Sequence, residues 1–218
     1  MFRALGIALS VSAAMIVSAQ AAVFVENFDD QTIGPDWSVY DTFGQFVTTA
    51  GGGIEIQRGI VTDSHSGHQH VELDSHVWGG GGSTNSAMAA TVDLVAGITY
   101  ELTFAYKPRT DSLDDNGINF SIGSLTGRNY TVQQWLGDVN NSSSRQRNWD
   151  VVSKVFTALD GDNAIQFSAF GLDNSYGGLI DSIKIAEVTT PLPAAGVLLV
   201  FGLLMLRIPS QKKQLRFG

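Results

Sequence analysis

Short runs of alternating apolar and polar residues recur along the middle of the chain, and they constrain its fold more than any other feature. The clearest run covers residues 100–106, where large apolar side chains alternate with Glu101, Thr103 and Ala105. Alternation with a period of two predicts a β-strand that buries one face. Comparable runs, separated by Gly, Asn, Asp and Ser, lie at residues 22–28, 53–57, 70–74, 98–106, 118–122, 151–157, 164–170 and 179–185. This spacing predicts an all-β fold, an antiparallel sandwich or barrel.

Charge separates this middle region from the two ends. All 21 acidic residues lie between Glu26 and Glu187, and residues 22–190 hold only 8 of the 13 Lys and Arg residues, for a formal charge of −13. Such a domain repels phosphate backbones, so we expect no nucleic-acid partner. The absence of cysteine excludes disulfides and thiolate metal sites. We therefore expect three parts, with residues 1–21 and 189–218 flanking one domain at 22–188.

The N-terminus has the layout of a secretory signal peptide. A basic start at Arg3 precedes an apolar run over residues 4–17, and an Ala-x-Ala site follows at Ala19 and Ala21. Cleavage would leave Ala22 as the first mature residue and place the protein outside the cytoplasm. The alternative is a permanent anchor, for which the apolar run is short.

The C-terminus combines a proline-rich motif, an apolar stretch and a basic end. Residues 194–206 are apolar, and Arg207 begins the basic segment. Thirteen helical residues span about 20 Å, which is short for a hydrocarbon core of about 30 Å. Basic residues favour the cytoplasmic side. We expect a short hydrophobic helix that lies transiently in the inner membrane.

This layout resembles the PEP-CTERM class of sorting signals, in the variant with a Val-Pro-Leu-Pro-Ala motif. The matching residues are Thr190, Pro191, Leu192, Pro193 and Ala194, with Thr190 in place of the usual valine. The resemblance implies processing by an exosortase-type protease and delivery to the cell surface of a Gram-negative-type bacterium. The alternative is a weak membrane anchor without a sorting step.

The order of segments in the middle resembles a jelly-roll family of galactose-binding-like domains. The resemblance depends on Trp-Ser-Val-Tyr at residues 37–40, Val-Glu-Leu-Asp at 71–74 and Gly-Gly-Leu-Ile-Asp at 177–181, together with residues 53–58, 66–75 and 102–109. It is poor between Tyr40 and Gly53. The family implies an antiparallel jelly-roll sandwich that binds a ligand and is not an enzyme.

Two groups of residues could bind a metal ion. The four histidines, His65, His68, His70 and His76, surround a His-x-Glu-x-Asp row in which His70, Glu72 and Asp74 share one strand face, opposite Val71 and Leu73. This row could bind a transition metal, or it could be a polar strand face.

Calcium is the second hypothesis. Ca²⁺ requires six to eight oxygen ligands, and jelly-roll binding domains of this kind often hold a structural Ca²⁺ between the first and last strands. The resemblance indicates Glu26, Asp74 and Asp181 as ligands, with Glu72 in reserve. The alternative is that these are turn or edge carboxylates.

A sugar site requires aromatic rings beside polar groups. Trp78 precedes four glycines and should be exposed, whereas Trp149 should belong to the core. Tyr106 and Arg109 end a strand near Asn116, and the planar Arg109 guanidinium could grip a hydroxylated or carboxylated ligand. We therefore expect a ligand site at Trp78, Tyr106, Arg109 and Asn116. The alternative is that these are ordinary core and rim residues.

These patterns predict an exported cell-surface or matrix protein that binds extracellular polysaccharide. No Gly-x-Ser-x-Gly motif is present, so catalysis is not expected. A matrix scaffold without a small ligand is the main alternative, and a polysaccharide hydrolase is a weaker one.

Overall fold

A computed structural model describes residues 22–77, 82–110, 112, 114–122, 130–131 and 148–188. These residues belong to one compact unit. The predicted signal peptide, sorting motif and C-terminal helix lie outside the described residues, as does Trp78. Nothing in the described ranges is a helix, so none of them forms a helix that could span a membrane.

Thirteen strands are described, and every pairing between them is antiparallel. Their bounds are β1 (Ala22–Glu26), β2 (Asp36–Tyr40), β3 (Thr42–Phe43), β4 (Phe46–Ala50), β5 (Ile54–Arg58), β6 (His70–Glu72), β7 (Ala87–Thr91), β8 (Thr99–Pro108), β9 (Gly117–Ile122), β10 (Tyr130–Thr131), β11 (Asp150–Thr157), β12 (Ala164–Phe170) and β13 (Gly178–Glu187). Each alternating run found in the sequence contains a strand, which confirms the all-β prediction.

The strands form two sheets, as expected for a jelly-roll sandwich. The seven-stranded sheet has the order β11-β8-β13-β6-β5-β2, and β1 pairs with β13 beside this path. The six-stranded sheet has the order β10-β9-β12-β7-β4-β3. Neighbouring strands are often distant in sequence, so residues far apart in the chain meet on each sheet face.

The core lies between the sheets and is rich in phenylalanine. Phe104 of the seven-stranded sheet contacts Phe120 and Phe167 of the other sheet, with both pairs of ring centroids 5.1 Å apart and nearly perpendicular rings. Along β8, Leu102, Phe104 and Tyr106 are buried on this inner face. The period-two pattern in the sequence is therefore explained by burial of one face.

The last strand changes partner halfway along its length. Leu179 and Ile180 pair with β6, and residues 183–186 pair with β1. The register shifts between Asp181 and Lys184, where Ser182 has a φ of 52°. This β-bulge places Asp181 and Ser182 where β13 changes partner from β6 to β1, beside β8.

Candidate functional site

On the outer face of the seven-stranded sheet, the part made by β5, β6 and the end of β8 is polar although its side chains are buried. In register across the strands, Gln57 lies beside His70, and Glu72 lies beside both Glu55 and Leu179. Alternate residues of these strands, such as Ile56, point into the core. We call the buried polar residues Glu55, Gln57, His70, Glu72 and Lys107 the outer polar face.

An amide links the two carboxylates of this face. The Gln57 Nε2 group donates to Glu55 Oε1 at 2.9 Å and also to Glu72. The Oε1 atom of Gln57 pairs with His70 Nε2 at 3.2 Å. Because side chains at one level of neighbouring strands are about 5 Å apart, this network extends across β5 and β6.

Arg109, just beyond the end of β8, completes the network. Its guanidinium forms an ion pair with Glu72 and donates to the Ser175 carbonyl oxygen at 3.0 Å. The Gly177 N–H donates to the other Glu72 oxygen at 2.6 Å. Glu72 therefore holds both the end of β8 and the loop before β13.

Burial shifts the protonation of two residues in the network. Burial raises the pKa of Glu72 to about 8. The Arg109 guanidinium opposes this rise, and the nearby Glu55 carboxylate adds a smaller increase. Burial, aided by Lys107 and Arg109, lowers the pKa of His70 to about 4. His70 is therefore neutral at neutral pH, and its ring can both donate and accept.

Lys107 and Trp149 lie on the side of this face nearest β11. The Lys107 ammonium donates to Thr62 Oγ1 at 2.5 Å, and burial lowers its pKa against the attraction of Asp63. Trp149 Nε1 donates to the Asp63 carbonyl oxygen at 2.9 Å, and its ring lies 5.6 Å from that of His70. The prediction that Trp149 belongs to the core is wrong, since its ring contacts the outer polar face.

Aromatic side chains flank the network. The Arg109 guanidinium lies 4.6 Å from the ring centroid of Tyr176, which is 50% exposed. On β2, the Trp37 ring lies 5.1 Å from that of His76. Tyr176 was not among the predicted site residues; the signal that could have indicated it is the pair of glycines that follows it, which predicts a turn before the last strand.

The predicted sugar-binding residues have different environments. Arg109 lies in the network, as described. Tyr106 is a core residue, 1% exposed, and its hydroxyl donates to the Asn116 carbonyl oxygen at 2.8 Å. The Asn116 side chain is buried and accepts from the N–H groups of Arg109 and Thr110. We therefore correct the expectation for Tyr106 and Asn116, which hold the end of β8 instead of facing a ligand.

The three predicted calcium ligands bind separate backbone segments. Glu26 accepts from the N–H groups of Phe28 and Gln45, both at 2.8 Å. Gly44 has a φ of 56°, and the Glu26 carboxylate fills the space of a Cβ there. Glu26 therefore stabilises the turn between β3 and β4.

Asp74 and Asp181 act in a similar way. Asp74 Oδ2 accepts from the Tyr176 N–H at 3.0 Å, and its buried Oδ1 has no hydrogen-bond partner among the described residues. Asp181 accepts from the N–H groups of Ser66 and Ser182 at 2.9 and 2.5 Å, and burial raises its pKa to about 6. The described parts of the chain contain no group of three or more His, Asp or Glu side chains that could hold a metal ion, and calcium binding by these three carboxylates stays a prediction.

A serine and a histidine approach each other at the bulge of β13. His65 Nδ1 lies 2.8 Å from Ser182 Oγ, which also lies 2.9 Å from Ser66 Oγ. The Asp181 carboxylate binds backbone N–H groups here. This arrangement differs from a catalytic triad, in which the carboxylate orients the histidine ring.

The fold and this face together define a β-sandwich with a buried polar network flanked by aromatic rings. No protein-family model and no curated protein matches the sequence. Among solved structures, the chain is similar to the CBM22-1 xylan-binding domain of Xyn10C from Paenibacillus barcinonensis, with 13% identity, a TM-score of 0.44 and coverage of 79% of this chain and 97% of that chain.

It is also similar to the K1 cleaved adhesin domain of Lys-gingipain from Porphyromonas gingivalis W83, with 14% identity, a TM-score of 0.46 and coverage of 74% and 96%. A family 35 carbohydrate-binding module from Clostridium thermocellum shows 13% identity, a TM-score of 0.37 and coverage of 65% and 98%. Similarity at this level concerns the arrangement of strands and says nothing about the residues of a site.

Proposed function

We propose that this domain is a non-catalytic carbohydrate-binding β-sandwich. The supporting observation is the outer polar face itself, a row of carboxylate, amide and imidazole groups that ends at Arg109 and is flanked by Tyr176 and Trp37. Sugar hydroxyls pair with planar polar side chains, and the apolar faces of sugar rings pack on aromatic rings.

The charges of the site favour a neutral polysaccharide. Arg109 is paired with Glu72, and Lys107 is bound to Thr62 near Asp63. A polyanion would therefore have to break an existing contact to reach either cation. The net charge of residues 22–190 also repels polyanions.

Affinity electrophoresis tests this proposal. The purified protein is run in gels cast with hydroxyethylcellulose, xylan, galactomannan or alginate. We expect at least one neutral polymer to retard it and alginate to have no effect. Replacement of the half-exposed ring, Tyr176→Ala, should weaken retardation about tenfold, as loss of a central aromatic contact does.

The matched control is Leu172→Ala, which removes a 52%-exposed apolar side chain from the same loop. This control should be retarded like the unchanged protein. If none of the four polymers retards the protein, carbohydrate binding is contradicted and the matrix-scaffold alternative is favoured. Release of reducing sugar from any of them would favour the hydrolase alternative.

Export and surface sorting are part of the same proposal. The supporting features are the Ala-x-Ala site that precedes Ala22 and the motif at residues 190–194. Intact-mass measurement of the protein from its own cells should find a form that begins at Ala22 and ends within residues 191–194. A membrane-bound form that retains Arg207 would mean that the tail is an anchor and that no exosortase acts on it.

Calcium binding remains a separate prediction. A bound ion would raise the melting temperature, because it binds the folded state alone. The measurement is the melting temperature in Ca²⁺ and in excess chelator, and equal values would contradict it. Asp74→Asn, which removes the charge beside the unpartnered buried oxygen, should abolish any difference found.

A further inference from the structure

The segment that joins β5 to β6 crosses the middle of the outer polar face. Three contacts define its path: Thr62 accepts from Lys107, Ser64 Oγ lies 3.4 Å from His70 Nδ1, and the Ser66 N–H donates to Asp181. Ala105 pairs with Asp181 on the seven-stranded sheet. Its side chain is only 1% exposed, so another part of the chain covers it. Residues 59–68 therefore cover the centre of the face.

Hydrogen bonds and one ring contact, between His65 and Trp149 with centroids 6.1 Å apart, hold this segment among the interactions that the structure describes. Every residue from 59 to 68 is exposed or half-buried, so none of them anchors the segment in the core. This differs from the strands around it, each of which buries large apolar side chains. Segments with few buried apolar contacts open at low free-energy cost.

The backbone of the segment has positive φ at one strained position and at two glycines. Gly59 and Gly67, near its two ends, have φ values of 71° and 59°. Between them, Val61 has a φ of 59°, which a β-branched residue rarely adopts. Opening at the glycines would release the strain at Val61.

The groups below the segment suit a ligand that both donates and accepts hydrogen bonds. His70, Lys107 and Asp181 are all at least 94% buried, and each uses at least one contact to residues 59–68. Hydroxyl groups can replace both kinds of contact, because each hydroxyl donates and accepts. A sugar chain would therefore replace the hydrogen bonds that His70, Lys107 and Asp181 lose when residues 59–68 move away.

We propose that residues 59–68 form a lid, and that its opening admits a neutral polysaccharide onto a binding surface made by Gln57, His70 and Lys107. This inference rests on the proposed carbohydrate-binding function and extends its site from the exposed Tyr176 to the covered face. Residues 59–68 are called the lid below.

An engineered disulfide tests the lid directly. The hydroxyl oxygens of Ser66 on the lid and Ser182 on β13 lie 2.9 Å apart, and the chain contains no cysteine that could mispair. The double variant Ser66→Cys, Ser182→Cys would lock the lid when oxidised and release it when reduced. Its retardation is measured in each of the four polysaccharide gels, oxidised and reduced.

We expect the oxidised variant to lose about tenfold or more in affinity and the reduced variant to recover it, a change of about 1.4 kcal/mol or more. Each single cysteine variant should bind equally in both redox conditions and is the control for reagent effects. Equal binding by the oxidised and reduced double variant would overturn the lid and leave carbohydrate binding intact. No retardation of the unchanged protein would overturn both.

Hydrogen exchange gives a second test that needs no sugar. The Ser66 and His68 N–H groups, which donate to Asp181 and Asp29, should exchange much faster than those of β8 and β13. Oxidation of the double variant should slow their exchange. Protection equal to that of the core strands before oxidation would overturn the lid, even if the disulfide variant folds poorly.

Discussion

The Glu72 carboxylate pairs with the Arg109 guanidinium on the outer polar face, where Glu72 is fully buried and the Arg109 side chain is 19% exposed. Removal of one partner of a buried pair leaves a polar group of the other without its hydrogen bond. Glu72 also accepts from Gln57 and from the Gly177 N–H. The pair therefore links three strands and a loop through one carboxylate.

Replacement of Arg109 should destabilise the domain. We expect Arg109→Met to lower the free energy of unfolding by about 1–3 kcal/mol at neutral pH, because Glu72, with its pKa raised to about 8, loses a charged hydrogen-bond donor but can stay protonated where it is buried. Urea unfolding measures this loss. The double variant Glu72→Gln, Arg109→Met should lose less than Arg109→Met alone, since an amide at this position never has to be held as a buried anion. A double variant less stable than Arg109→Met would contradict this account of the pair.

Protonation of His70 should make a destabilising contribution to the domain as the pH falls. Its pKa is about 4 in the folded state and 6.5 in the unfolded chain. The unfolded chain therefore binds more protons between these values, and stability falls as pH falls through 6.5 towards 4. Between pH 7 and pH 5 this loss amounts to about 2 kcal/mol.

The variant His70→Gln isolates this contribution. Asp181 and Glu72 have raised pKa values, so their effects run in the opposite direction, with stability lost as pH rises. The stability at pH 5 minus the stability at pH 7, measured by urea unfolding, should be about 2 kcal/mol more favourable in His70→Gln than in the unchanged protein. The same pH dependence in both proteins would mean that His70 titrates normally in the fold.

Periodicity predicted which residues share a face, and it did so correctly for β6. His70 and Glu72 lie on the outer face, opposite Val71 in the core. The same rule places Tyr106 in the core, two residues beyond Phe104, so its assignment to a ligand site ignored the alternation. The strand β7 was not predicted, because its residues, Ala-Met-Ala-Ala-Thr, show no alternation of apolar and polar character.

Partners that are distant in sequence could not be predicted. Glu72 lies 37 positions from Arg109 and 105 from Gly177. The order of strands brings these residues together, and that order depends on the packing of the whole sandwich. The chain contains 21 acidic residues, and nothing local distinguishes the one that Arg109 binds. Tyr176 lies beside Arg109 for the same reason, since the loop that contains it is held by Glu72 and Asp74.

The phenylalanine cluster between the sheets should dominate core stability. Phe104→Ala removes ring contacts with both Phe120 and Phe167, and the space cannot collapse because strands of two sheets surround it. We expect a loss of about 3–5 kcal/mol in urea unfolding. The control Val155→Ala, at a side chain that is 60% exposed, should change stability by less than about 0.5 kcal/mol. Equal effects of the two changes would contradict the described core.

The two glycines of the lid provide a matched pair. Gly59 and Gly67 both have positive φ, but a Cβ at Gly59 would meet open space, whereas one at Gly67 would overlap the Asp29 carboxylate. Gly59→Ala should cost about 1–2 kcal/mol, the strain of a left-handed alanine. Gly67→Ala should cost about 0.5–1.5 kcal/mol more, because Asp29 must move away and release the His68 N–H.

Urea unfolding of both alanine variants measures the difference, and Asp29→Gly tests its cause. In the Asp29→Gly background the overlap at residue 67 is gone, so Gly67→Ala should cost no more than Gly59→Ala. The extra cost thus depends on one carboxylate 38 positions away in the sequence. If Gly67→Ala keeps its extra cost without the Asp29 side chain, the described contact between residues 29 and 67 does not determine the conformation of the lid.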